Sequence, residues 1–144
     1  MKVSDYMVHD VTTLEEQTRL LDAVLLIRRS GKRHIPVVDA EGRPVGIVTD
    51  RDLARVAPSM LTPMNAETYN QLFESTPVTK AMTRPAMVIK PDAPIAEAVD
   101  MLHMHKVGAL VVVNDAGVVV GILTVTDMLG LLHELLQKSA ATNA

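Results

Sequence analysis

The chain has 144 residues, is 48% hydrophobic and 22% charged, and carries a net charge of −3 with no cysteine. That length fits one compact domain or two small lobes sharing a core. The charge balance lacks the basic excess of a nucleic-acid binder, and the missing cysteines exclude disulfides, thiolate metal sites and a cysteine nucleophile.

The first ten residues hold no apolar run of signal-peptide length. The longest apolar stretch, residues 107–113, falls well short of the ~20 residues of a membrane span. These features predict a soluble, cytoplasmic protein that contacts neither nucleic acid nor membrane.

In chain order, residues 11–14 form a short strand candidate, and Thr18 is placed to cap a helix with apolar positions Leu20, Leu21, Val24, Leu25 and Ile27. Ser30-Gly31 ends that helix, with Arg28, Arg29 and Lys32 where cations suit the macrodipole. Residues 35–38 and 44–48 read as a hairpin around the turn Asp39 to Gly42, and a helix starts between Asp50 and Asp52. The stretch 58–77 is a Pro- and Thr-punctuated linker with a short helix near 66–73, burying Tyr69, Leu72 or Phe73.

The same order then returns. Residues 87–89 are a strand, Asp92 and Pro94 open a helix, 110–113 and 118–123 form a hairpin, and a last helix carries Met128, Leu129, Leu131, Leu132, Leu135 and Leu136. That leucine stripe reads mainly as intramolecular core, with a dimer interface as the alternative. Residues 139–144 read as a flexible tail.

The return is a true repeat at an offset of 75. Gly46-Ile47-Val48-Thr49-Asp50-Arg51-Asp52 answers Gly121-Ile122-Leu123-Thr124-Val125-Thr126-Asp127. The same offset joins Val3 to Val78, Met7 to Met82, Ala23 to Ala98, Val37 to Val112 and Gly42 to Gly117. Each Thr-x-x-Asp puts a hydroxyl at a strand end and a carboxylate in the first turn of a helix. Two readings follow. Thr and Asp can simply cap the helix, or the helix amides and Thr hydroxyl can bind phosphate while Asp accepts hydrogen bonds from a diol.

These duplicated segments resemble cystathionine β-synthase (CBS) domains, and the pair resembles a Bateman module. The flanking segments Val3-Ser4-Asp5-Tyr6-Met7, Val78-Thr79-Lys80-Ala81-Met82 and His34-Ile35-Pro36-Val37-Val38-Asp39 fit the same family. The Thr-Asp-Arg-Asp-Leu run and the long linker look most like stand-alone bacterial pairs of the acetoin-utilisation type.

The resemblance implies an α/β fold of two strand-helix-strand-strand-helix repeats, residues 1–57 and 78–138, packed by pseudo-twofold symmetry. It implies a regulatory module, not an enzyme, that binds AMP, ADP or ATP, with S-adenosylmethionine behind them, in clefts between the repeats. The nucleotide is a regulatory ligand, and no cofactor is expected. The ligand contacts it suggests are Thr49, Asp52, Thr124, Asp127 and Arg51, with Arg33 and His34 as phosphate ligands that copy two replaces by Gly108 and Ala109. A homodimer and an effector protein acting in trans are the expected partners. The alternative is a structural or protein-interaction module with degenerate pockets. His103 and His105, two apart on a helix, face about 200° apart and make no metal pair.

Overall fold

The computed structural model describes residues 1–56 and 66–143. The elements are β1 (Leu14–Glu15), α1 (Leu20–Ser30), β2 (His34–Val38), β3 (Pro44–Thr49) and α2 (Asp50–Val56), then α3 (Ala66–Ser75). They continue with β4 (Val88–Ile89), α4 (Ile95–His105), β5 (Ala109–Val113), β6 (Val119–Thr124) and α5 (Val125–Asn143). Short 3-10 turns lie at Val3–Asp5 and Val78–Lys80. Both repeats have the strand-helix-strand-strand-helix order read from the sequence, and the linker helix exists. Residue 57 of the expected first repeat, residues 58–65 of the expected linker, and Ala144 of the expected tail lie outside the described residues.

Each repeat builds a three-stranded sheet, β1-β2-β3 and β4-β5-β6. The first strand pairs in parallel with the second, across the helix that joins them, and the hairpin is antiparallel. The turns close through Gly42 and Gly117, both at φ 80, where a side chain would be strained. Even the register shifts repeat, at Val37/Val38 and Val112/Val113.

The compact units do not follow the repeats. One comprises Met1–Val11 with Met87–Ala144, the other Thr12–Ala86. The segment that precedes each repeat is built into the unit of the other: Val3 is fully buried with Ile95, Leu110, Val112 and Leu123, and Val78 with Leu20, Ile35, Val37 and Val48. Burying each such valine is worth ~1.5–3 kcal/mol.

Backbone bonds fix both segments in the same way. The amide of Val78 donates to the Thr18 carbonyl at 2.7 Å and that of Leu20 to Thr76 at 2.7 Å; Val3 donates to Ala93 at 2.9 Å and Ile95 to Met1 at 3.0 Å. This explains why Thr18 is not the cap of α1. The helix starts two residues later, with Arg19 in the cap position and no side-chain cap bond. The helix-terminal amide of Leu20 is served by backbone instead.

A methionine follows each segment and seats against the glycine of the repeated motif. A Cβ on Gly46 would lie 2.7 Å from Sδ of Met82 and 2.8 Å from the Thr83 carbonyl; one on Gly121 would lie 2.5 Å from Sδ of Met7. At Gly46 the close approach of the Thr83 backbone requires glycine, whereas at Gly121 the neighbour is the flexible Met7 side chain.

Two expectations for the last helix are corrected. It runs through Asn143, so 139–143 continues the helix. Of its leucine stripe only Leu131 is buried, while Leu129, Leu132, Leu135 and Leu136 are 45–60% exposed. Leu131 alone of the five joins the core cluster of Val3, Ile95 and Leu123.

Candidate functional site

Each Thr-x-x-Asp segment turns the last residue of a hairpin strand into the cap of the helix that follows. In the unit of residues 12–86, the amide of Thr49 donates to Oδ2 of Asp52 at 3.0 Å, and the amide of Asp52 donates to Oγ1 of Thr49 at 3.0 Å. In the other unit, Thr124 donates its amide to Oδ2 of Asp127 at 2.8 Å, and the amide of Asp127 donates to Oγ1 of Thr124 at 3.2 Å. These are reciprocal capping boxes. The first amide of each helix is also taken: Asp50 donates to the Arg33 carbonyl at 3.3 Å, and Val125 to that of Gly108 at 3.0 Å. The capping reading of the motif is therefore realised twice.

The second carboxylate oxygen separates the two corners. Oδ1 of Asp52 accepts from the Thr83 hydroxyl at 3.4 Å and lies 3.8 Å from the Arg55 guanidinium, and the residue is only 6% exposed. At the 75-residue offset, Thr83 becomes Val8 and Arg55 becomes Gly130, neither of which offers a side-chain hydrogen bond. The backbone is nonetheless equivalent, since Val8 bridges Ile122 as Thr83 bridges Ile47. A Cβ on Gly130 would meet nothing within 4 Å. Oδ1 of the half-buried Asp127 thus has no protein partner among the described residues, while Oδ2 also accepts the Thr124 hydroxyl at 3.0 Å.

Arg33, His34, Arg51, Thr49 and Asp52 all belong to the unit of residues 12–86, whereas Thr124 and Asp127 belong to the other. Within the first group, His34 pairs in register with Thr49, at the strand end where α2 begins. Arg33 and Arg51 are exposed, and His34 is half-buried. Burial lowers the His34 pKa from its ordinary 6.5, and Arg33 and Arg51 add to that against the opposing pull of Asp50 and Asp52. His34 is therefore neutral near pH 7, a donor or acceptor that gains a proton readily only when an anion joins it. Copy two has no such basic set.

The sequence reading missed Thr83, Arg55 and their replacements. The signal was present as two breaks in the repeat, visible once the partners of Asp52 are known.

Two apolar cavities lie beside these corners, each lined by the first residue of a capped helix. One of about 260 Å³ is lined by Val24, Ile27, Arg28, Asp50, Leu53, Ala54 and Phe73. The other, about 420 Å³, is lined by Val99, Leu102, His103, Lys106, Val107, Val125 and Met128. Neither includes a motif Thr or the capping Asp.

The sequence pattern of the CBS domain matches residues 3–59 and 78–134. An uncharacterized protein of Methanocaldococcus jannaschii is 36% identical over 129 residues, covering 89% of this chain but 28% of that protein. A CBS domain-containing protein of Dictyostelium discoideum is 30% identical over 135 residues, covering 94% of this chain and 93% of the relative. Among solved structures, one named as an acetoin utilization protein (AcuB) of Vibrio cholerae superposes with a TM-score of 0.76 at 31% identity, covering 98% and 96% of the two chains. CBSX2 in complex with AMP superposes at 0.75 and 25% identity, covering 93% and 97%. A CBS domain pair in complex with 5′-methylthioadenosine and S-adenosyl-L-methionine superposes at 0.76 and 24% identity, covering 93% and 97%, a likeness of fold. No helix among the described residues is long and apolar enough to cross a membrane.

Proposed function

Because this chain belongs to the CBS domain family, we propose that it is a regulatory module whose ligand contains adenosine, with AMP, ADP or ATP ahead of S-adenosylmethionine. The observation that carries the reading is the unequal pair of corners. Asp127 keeps a carboxylate oxygen free to accept from a ribose diol, and a charged acceptor makes the stronger class of hydrogen bond. Asp52 is committed to its cap, Thr83 and Arg55, so its role is to hold the β3–α2 corner in shape. Within its own unit the β3–α2 corner carries cations, and Arg33 and Arg51, beside a neutral His34, suit a phosphate.

The AMP complex of CBSX2 supports the ligand class at a sequence identity of 25%. The adenine needs no aromatic partner in this reading, since apolar side chains and backbone can enclose it. That suits a chain with two tyrosines and one phenylalanine. Output is regulation rather than catalysis, passed to a partner protein.

The test is a calorimetric and thermal-shift titration with AMP, ADP, ATP, S-adenosylmethionine and adenosine, on wild type and Arg33→Ala. Binding of at least one nucleotide is expected, with a stabilisation of ~2.7 kcal/mol at a hundred times Kd. Arg33→Ala should weaken AMP while leaving adenosine unchanged. Flat titrations with every compound would overturn the nucleotide reading in favour of an interaction module. Turnover of a bound nucleotide would overturn the non-enzymatic one.

A further inference from the structure

The chain has nine methionines and no cysteine, so a thioether is the only side-chain sulfur it can offer to an oxidant. Two of the nine occupy equivalent places. Met7 and Met82 lie 75 positions apart, each four residues after the buried valine of its segment, and each is partly buried against the core of its own unit. Their side chains lie across the motif glycines. A Cβ built on Gly121 would meet Sδ, Cε and Cγ of Met7 at 2.5, 3.1 and 3.1 Å, and one on Gly46 would meet Sδ and Cγ of Met82 at 2.7 and 3.1 Å. On its glycine side neither sulfur has room for a further atom.

What the two sulfurs hold down is the backbone that follows them. Val8 exchanges two hydrogen bonds with Ile122, at 2.8 and 3.1 Å, and Thr83 exchanges two with Ile47, at 2.8 and 3.1 Å. Ile47 and Ile122 each follow a motif glycine and stand two residues before the motif threonine. Both belong to the outer strand of a sheet, β3 or β6. Thr83 also donates its hydroxyl to Asp52 at 3.4 Å. Each methionine therefore latches a segment that pairs with the strand leading into a capped helix.

We propose that Met7 and Met82 are sites of reversible oxidation by a hydroperoxide, whose sulfoxides release the segments they latch. A sulfur lone pair attacks one peroxide oxygen and the O–O bond breaks. With hydrogen peroxide, water leaves; sulfur is oxidised by two electrons and the peroxide is reduced by two. The product carries a polar S–O group where the thioether packed as an apolar one. Aimed at the glycine, that oxygen collides with backbone. Aimed away, it sets a polar atom among the apolar neighbours of the core edge. The effect is larger at Met82, because the Thr83 carbonyl crowds the same side of Gly46 and repels a second oxygen. A thiol-dependent sulfoxide reductase removes the oxygen as water, oxidises two thiols to a disulfide, and lets the latch seat again.

The other methionines lack this geometry. Met104 is 71% exposed and joins neither core cluster, so its oxidation adds a polar group where water already is. Met87, Met101 and Met128 border a core, but none supplies the nearest atoms to a motif glycine. Release of the segments is a property of the fold and stands whether or not a nucleotide binds.

The test compares the full chain with Met7→Leu/Met82→Leu, a pair that conserves volume and takes no oxygen, before and after hydrogen peroxide. Peptide mass mapping locates the sulfoxides. In wild type, Met7 and Met82 should each gain one oxygen, and Tm should fall by at least about 5 °C. The amides of Val8, Ile122, Thr83 and Ile47 should exchange at least about tenfold faster, and sulfoxide reductase with dithiothreitol should restore both readouts. The Leu variant should lose less than about half as much in Tm, and Met104→Leu should respond as wild type does. Full oxidation of Met104 with Met7 and Met82 unmodified would overturn the proposal. So would sulfoxide at both sites with unchanged melting and exchange, or a Leu variant that loses as much as wild type. Mapping and exchange on wild type alone are decisive should the double variant fold poorly.

Discussion

Replacing Asp127 by Asn separates the two jobs this carboxylate can hold. The side-chain oxygen of Asn, at the third helical position, still accepts from the amide of Thr124, and the Thr124 hydroxyl still caps the amide of residue 127. The fold should therefore change by less than ~0.5 kcal/mol. What is lost is the second oxygen, Oδ1, which has no partner among the described residues and which a diol would use. A hydrogen bond to a charged group is worth ~1.5–3 kcal/mol, so the dissociation constant for AMP or adenosine should rise roughly ten- to a hundredfold.

The matched substitution Asp52→Asn should behave differently. It keeps the amide bond to Thr49 and can keep Thr83, whose hydroxyl reverses its role. The partner it weakens is the Arg55 guanidinium, 77% exposed at 3.8 Å, a pair that contributes little. Affinity should change less than about threefold. Asp52→Ala, by contrast, removes the carboxylate half of the capping box while leaving the Thr49 hydroxyl on the amide of residue 52, and should cost ~1 kcal/mol, a fall in Tm of about 2–8 °C. Isothermal titration calorimetry and circular dichroism melts on the three variants give the comparison. Equal loss of affinity in Asp127→Asn and Asp52→Asn, with unchanged melts, would refute the assignment of the diol to Asp127 alone.

Acidification should act through His34. Its pKa in the fold lies below the unfolded value, so the unfolded chain binds the extra proton first; stability present above pH 6.5 is lost as the pH falls through 6.5 toward the folded value. Melts between pH 8 and 5 should show this slope in wild type and a flatter one in His34→Gln. The two motif glycines should also differ. Gly46→Ala drives a Cβ against the Thr83 backbone and should destabilise by ~1–3 kcal/mol, whereas Gly121→Ala meets only the flexible Met7 side chain and should cost less, as urea midpoints would show.

The elements of both repeats were legible because their periodicity and turns are local. Gly31, Gly42 and Gly117 mark their stops without help from tertiary structure. Thr18 was misread as a cap because the backbone that serves α1 comes from Thr76 and Val78, more than fifty positions away. Val3 and Val78 are both apolar and equivalent, so nothing in their identity says that each is buried in the other repeat's unit. The stripe on α5 shows the same limit: spacing announces an apolar face, but which of Leu131 and Leu132 meets a core depends on where the sheet ends. At the candidate site, the motif located both carboxylates. Their difference rests on Thr83 and Arg55, residues outside the motif that matter only through Asp52.

The placement of Met1–Val11 in the unit of residues 87–144 sets an order of events during biosynthesis. The unit of residues 12–86 is one unbroken stretch and can close as soon as it clears the ribosome. The first eleven residues emerge before it, yet the sheet and helices that bury Val3 begin only at residue 87. At ~5–20 residues per second, the amino terminus waits about 4–15 s for its partner to begin to appear. Residues 1–11, made before residues 12–86, thus dock after them, and a nascent chain interrupted in the middle carries one finished unit and one apolar segment around Val3 still looking for its place.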